Sequence, residues 1–199
     1  MRPIVLASNN VGKLKEFAQI LTTFDYQVIP QSQFEVSEVA ETGLSFVENA
    51  LIKARQASQH TRLPAMADDS GIEVDALQGA PGIYSARFAG IGASDEENNR
   101  LLLKKLAHIP EIQRTARYHC VIVYIHHPND PMPLICQGTW EGHIIHEPRG
   151  ENGFGYDPLF YVPTHHCTSA ELPPEIKNQL SHRGQALRAL QLALSKNNN

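Results

Sequence analysis

The stretch Tyr118 to Ile125, Tyr-His-Cys-Val-Ile-Val-Tyr-Ile, constrains the fold more than any other, because aromatic and β-branched residues occupy both parities. A strand with one wet face alternates apolar and polar residues; a strand covered on both faces reads as a near-continuous apolar run. The segment is therefore expected at the centre of a sheet with packed layers on each side. Helical and strand patterns interleave along the rest of the chain, which predicts an α/β class with a mixed sheet. The 199 residues can bury a sizeable core, and they suit a single domain over 1–199 better than separate modules.

Pro3 to Ala7 reads as a short buried strand. A polar turn, Ser8-Asn9-Asn10, then leads into an amphipathic helix with Leu14, Phe17, Ala18 and Leu21 on one face. A strand is expected near Tyr26 to Ile29, and Ser45 with Glu48 forms a capping box for a helix to about Thr61. The apolar run Pro64 to Ala67 ends in Asp68-Asp69-Ser70-Gly71 ahead of a further strand, Ile72 to Val74, which places the carboxylates at a strand end. Ser94 and Glu97 offer a second capping box, for a helix through Leu106. Leu134 to Trp140 and His143 to Ile145 read as two more strands, and Gly150 to Gly155 as a loop. Pro174 suits the first turn of a short helix, Leu187, Leu190 and Leu194 mark a C-terminal one, and Asn197 to Asn199 should fray.

A formal net charge of −4 gives no electrostatic reason to expect nucleic acid or a membrane as partner, so any polyanion must meet a local cluster of cations. Three cysteines, Cys120, Cys136 and Cys167, with no C-x-x-C spacing speak against a disulfide framework or a zinc ribbon. The first apolar run is too short for a signal-peptide core and no segment approaches a membrane span, which makes the cytoplasm the expected compartment.

Four constellations carry possible chemistry. In Ser8-Asn9-Asn10-Val11-Gly12-Lys13, a turn after a strand aims backbone N–H groups and a helix N-terminus at a ligand, and Lys13 adds a full charge: an anion site, or a capped helix with a solvated lysine. Leu14 after Lys13 breaks the phosphate-loop spacing of kinases and ATPases. Asp68-Asp69, backed by Glu41, could take a hard divalent cation such as Mg²⁺ or supply a general base; the same residues also suit a polar turn. Lys53 lies on a small-residue helix face with Ala50 and Ala57, directed either into a cleft or along the surface. Gly153-Phe154-Gly155-Tyr156-Asp157-Pro158 combines close backbone approach with a ring for stacking and an acceptor, or is an aromatic-anchored turn. Lys177 with Ser181-His182-Arg183-Gly184 supplies donors suited to a keto oxygen or phosphate, or a helix cap beside a solvated arginine. The pairs His126-His127 and His165-His166 lack paired ligand spacing and read as loop histidines.

Taken in order, these pieces resemble the inosine triphosphate pyrophosphatase family of deaminated-purine nucleoside-triphosphate pyrophosphatases. The resemblance rests on Ala7 to Glu16, Glu41-Thr42-Gly43 with Glu48-Asn49-Ala50, Ala67 to Gly71, Pro81 to Arg87, Phe154 to Pro158 and Ser181 to Leu187. It implies an elongated mixed sheet flanked by helices, in two lobes around a nucleotide-binding cleft, and a homodimer. It implies that Ser8, Asn9, Asn10, Val11, Gly12, Lys13, Lys53 and Ser70 hold the triphosphate end. Glu41, Asp68 and Asp69 would hold Mg²⁺, with Asp69 also accepting the proton of the attacking water. Phe154, Gly155, Tyr156, Asp157, Lys177, His182 and Arg183 would form the purine pocket.

Two rivals follow from the same residues. A pyrophosphatase for other modified nucleotides would share the phosphate end and differ at the base pocket. A non-catalytic nucleotide sensor would have no need of Glu41 and Asp69.

Overall fold

The computed structural model describes residues 1–21 and 25–196; the expected fraying at 197–199 lies outside the described residues. Seven strands form one sheet in the order β2-β1-β3-β4-β5-β6-β7, with β1 Arg2–Leu6, β2 Tyr26–Pro30, β3 Ala65–Val74, β4 Thr115–Ile125, β5 Leu134–Ile144, β6 Phe160–Val162 and β7 Cys167–Thr168. β1 runs parallel to β2 and β3, whereas β5–β6 and β6–β7 are antiparallel, so the sheet is mixed as expected. Five helices accompany it among the described residues: α1 Val11–Leu21, α2 Phe46–Thr61, α3 Asp95–Lys105, α4 Pro174–Leu180 and α5 His182–Lys196.

The chain divides into two compact units, one of Met1–Asp69, Cys120–Gln137 and Gln185–Asn199, the other of Ser70–His119 and Gly138–Gly184. In the first unit the period-two geometry of a strand explains the double-sided apolar run. Cys120, Ile122 and Tyr124 of β4 pack with Phe17 of α1 and with Leu187, Leu190 and Leu194 of α5. Val121, Val123 and Ile125 join Ala50, Ala54 and Ala57 of α2. β1 is split the same way, Ile4 and Leu6 to one cluster and Val5, with Ala7 just after the strand, to the other. The small-residue face of α2 is thus its packing face. The second unit has its own core, in which Ile72, Val74, Leu102, Leu106, Tyr118, Trp140 and Phe160 are buried together.

Helix starts follow the caps closely. Ser94 Oγ accepts from Glu97 N while Glu97 returns to Ser94 N, a full capping box. At α2 only half of the expected box forms: Ser45 accepts from Glu48 N, but the Glu48 carboxylate accepts from Leu44 N at 2.9 Å and from the Ser45 hydroxyl. Two strand expectations require correction. β3 does not stop at Asp68 but runs unbroken through Asp68-Asp69-Ser70-Gly71, because lysine ammoniums compensate the buried carboxylates and leave the backbone free to continue its pairing. β5 is one strand rather than the expected two and runs through Gly142, which lies where a Cβ would come within 2.5 Å of the Tyr161 carbonyl oxygen of β6. The short β6 and β7 carried no usable sequence signal.

On the second unit's more exposed sheet positions, Arg117 donates to both oxygens of Asp75, at 2.7 and 2.9 Å, and to Glu141. These bonds, first of all those from Arg117, hold the Asp75 carboxyl down at about 2 against an ordinary value of 3.8. A depressed carboxyl stabilises the fold above its ordinary value, and the contribution is lost as pH falls from 3.8 through about 2. In Arg117→Met the Asp75 titration should move back toward 3.8 by NMR, flattening this acid limb of stability; an unmoved titration would assign the shift elsewhere.

Candidate active site

The loop after β1 is built by its own side chains. Ser8 Oγ accepts from Asn10 N at 3.2 Å, and Asn10 Oδ1 accepts from Lys13 N at 3.1 Å, which caps α1 and leaves the helix's first N–H groups directed outward. Asn9 is held from two sides: its amide donates to Glu38 and its carbonyl accepts from the Gln31 amide. Val11 is 64% exposed at the mouth of this turn.

Behind the loop, in the same unit, the predicted carboxylates and lysines come together. Lys13 Nζ lies 2.8 Å from Asp68 Oδ2, and Lys53 Nζ bridges Glu41 and Asp69 at 2.8 Å each. Lys53 therefore points inward rather than along the surface, with its side chain 17% exposed. Carboxylates and ammoniums interleave, because buried like charges need an opposite charge between them. Among the described residues no group of three His, Cys, Asp or Glu is arranged to hold a metal ion.

Burial pushes the Asp69 carboxyl upward; Lys53 opposes the shift without cancelling it. Burial works against the Lys53 ammonium, yet the Asp69 and Asp68 charges outweigh it and hold its pKa above the ordinary value. A raised acid beside a strongly held cation is the electrostatic setting of a group that accepts a proton from a positioned water. Sequence reading assigned no role to Asn49, which is fully buried, donates to Asp69 Oδ2 at 3.4 Å and accepts from Gly43 N at 2.9 Å. The signal was present: Asn49 and Lys53 are four apart on α2 and share a face.

The donors of the other constellation gather in the second unit. Phe154, 43% exposed, has Lys177 Nζ 5.3 Å and Arg183 Cζ 5.8 Å from its ring centroid, so one aromatic face is flanked by two cations. Arg183 Nη2 donates to Ser70 Oγ at 3.2 Å. His182 stacks on Tyr118 with centroids 4.6 Å apart and planes 8° from parallel, and Tyr118 was not a sequence candidate. Asp157 already accepts from Ser169 Oγ, Phe154 N and Lys177 Nζ, three of the roughly four bonds that a carboxylate can take. Its evident work is to hold Lys177 and the loop. Tyr156 is buried, and its hydroxyl donates to the Ser85 carbonyl, so this residue anchors rather than lines the loop.

The model of the Ham1 family matches residues 4–193. The chain is 60% identical over 195 residues to a dITP/XTP pyrophosphatase of Vibrio parahaemolyticus, covering 98% of each chain. It is 52% identical over 194 residues to the dITP/XTP pyrophosphatase of Escherichia coli K12, again 98% of each. A solved HAM1 protein from Coxiella burnetii superposes with a TM-score of 0.94 at 52% identity, over 98% of this chain and all of that one. With the family model, the relatives and the solved fold each matching over nearly its whole length, the chain belongs to the Ham1 family.

Proposed function

We propose that the protein, as one domain over 1–199, hydrolyses the non-standard purine triphosphates ITP, dITP and XTP to the monophosphate and pyrophosphate, with Mg²⁺ as cofactor. The observation that carries this reading is the convergence of Glu41, Asp68 and Asp69 with Lys13 and Lys53 behind a helix N-terminus. The names of the relatives, matched over 98% of their length, support the substrate class.

Water attacks the α-phosphorus, the bond from that phosphorus to the α–β bridging oxygen breaks, and pyrophosphate leaves. Asp69 accepts the proton of the water. Lys13 and Lys53, with the N–H groups from Ser8 to Lys13, neutralise phosphate oxygens, so their ammoniums exchange carboxylate partners for phosphate ones. Hard oxygen donors fit Mg²⁺, and Glu41, Asp68 and Asp69 are the residues that would hold it. When bound, the metal supplies further charge neutralisation at the phosphates. Ser70 lies at the substrate beside Asp69.

At the base, Phe154 stacks on the purine ring while His182 and Arg183 donate to its keto oxygen, with Lys177 beside them in the pocket. Gly155, Tyr156 and Asp157 keep these groups in place. Adenine presents an amino group where these donors need an acceptor, and a buried donor left without a partner costs about 1–3 kcal/mol. A pyrophosphatase for other modified nucleotides would keep the phosphate end, but it would not need this ring flanked by two cations.

The measurement that tests the reading is pyrophosphate release from a panel of triphosphates in Mg²⁺. ITP and XTP should turn over at least about a hundred-fold faster than ATP, as sites built on a specific hydrogen bond discriminate; CTP and GTP should also be slow. Equal rates across the panel would remove the specificity claim. The same reading includes a cytoplasmic homodimer. Three free cysteines support a reducing compartment, and among the described residues no helix is long and apolar enough to cross a membrane. A monomeric sedimentation coefficient would withdraw the dimer.

A further inference from the structure

The loop that presents Phe154 is gripped from a distance. Gly155 N donates to Asp95 Oδ2 at 2.6 Å, and Gly155 O accepts from Asn99 Nδ2 at 2.9 Å. Both partners stand on α3, 60 and 56 residues away in sequence, and four apart, so they share one helix face. A single residue thus has its backbone donor and its backbone acceptor taken by two side chains of the same helix.

That helix is itself fixed. The Ser94–Glu97 capping box closes its first turn. Arg114 binds the Leu106 and Ile109 carbonyls at its far end. Asn98, between the two gripping residues, is buried and holds the Ala86 and Ala89 backbone. The neighbours of Gly155 are the groups that matter at the base: Phe154 on one side, and Tyr156 and Asp157, the anchor of Lys177, on the other. Asp95 is exposed, so its bond to Gly155 adds little to global stability. What the bond does fix is where the loop stands.

We infer that Asp95 and Asn99 are positioning residues for purine recognition, acting through the Gly155 backbone on the Phe154 ring and the Asp157–Lys177 pair. The inference rests on the reading of this loop as the base-binding end. Because the two residues touch neither phosphates nor the reacting water, their loss falls on binding of the base and not on the chemical step.

The test compares Asp95→Ala, Asn99→Ala and the conservative Asp95→Asn with the unaltered protein, measuring KM and kcat for ITP and XTP and calorimetric affinity for IMP. Each alanine variant should raise KM and weaken IMP binding about ten-fold with kcat within about two-fold, and Asp95→Asn, which keeps an acceptor oxygen, should recover most of the loss. Unchanged KM and IMP affinity in the alanine variants would overturn the inference. So would a fall in kcat that tracks a lowered melting temperature, with no recovery in Asp95→Asn. If the unaltered protein releases no pyrophosphate from ITP or XTP, the functional reading fails instead, which is a separate outcome.

Discussion

Asp69→Asn should lower kcat by about two to four orders of magnitude, the range contributed by a positioned general base, while binding of IMP stays within about three-fold. Asparagine keeps the shape of the side chain and one acceptor oxygen for Lys53, but it cannot take a proton. It also removes one of the two carboxylates that Lys53 bridges. Because Asp69 is buried and its charge helps to hold the Lys53 ammonium, the substitution should also lower the melting temperature, a cost that is read separately from turnover. Steady-state pyrophosphate release together with calorimetry on the product separates the two effects. Turnover within about ten-fold of the unaltered protein would move the proton acceptor to Asp68 or Glu41.

Gly184→Ala should produce the largest structural effect of any single methyl group added near the site. A Cβ on Gly184 would overlap the Asn178 carbonyl oxygen outright and press on Ser181 Oγ at 3.3 Å. The Asn178 oxygen is backbone and cannot swing aside, and Gly184 N already donates to Ser181 Oγ at the start of α5. The first turn of that helix must therefore shift, and it carries His182 and Arg183. Overpacking of this kind costs about 1–3 kcal/mol, which for a chain of this size lowers the melting temperature by about 3–10 °C. KM for ITP should rise with it, since the displaced donors belong to the base end. A melting curve that overlays that of the unaltered protein would show that the α4–α5 turn can open without loss.

Much of the architecture was legible because several elements carried signals that do not depend on tertiary context. The two-sided apolar run of β4 announced a central strand, and the Ser94–Glu97 pair announced the start of α3. The errors arose where a local signal was overridden by a partner distant in sequence. Asp68 and Asp69 were expected at a strand end, with a polar turn as the alternative; the strand continues through them because Lys13 and Lys53 arrive from α1 and α2. Leu134 to Trp140 and His143 to Ile145 read as two strands because nothing local reveals the Tyr161 carbonyl that lies across the sheet from Gly142.

The site divided similarly. The motif residues were recognisable, but their pairing was not. Asp157 read either as an acceptor for the base or as part of an anchored turn, and nothing local revealed Ser169 and Lys177 as its partners. Tyr118, Asp95 and Asn99 were missed because each touches a motif residue more than 50 positions away, and spacing along the chain carries no trace of such a contact; Asn49, four residues from Lys53 on α2, did leave one.

Arg114 gives the far end of α3 a particular kind of hold. Its guanidinium is only 1% exposed and spends two separate donors, Nε and Nη2, on two main-chain oxygens. Burial lowers its pKa against the opposing charge of Glu111, and one of the oxygens it meets, that of Leu106, caps the negative end of the helix. An ammonium in its place would keep the sign of the charge and lose the two-point grip, because a single nitrogen on a flexible stem cannot set an angle between two acceptors. The slack so introduced would be levered along the helix to Asp95, a span of roughly 15 Å. A conservative exchange made at one end would thus be felt as looseness at the other, in a segment that the altered residue never touches.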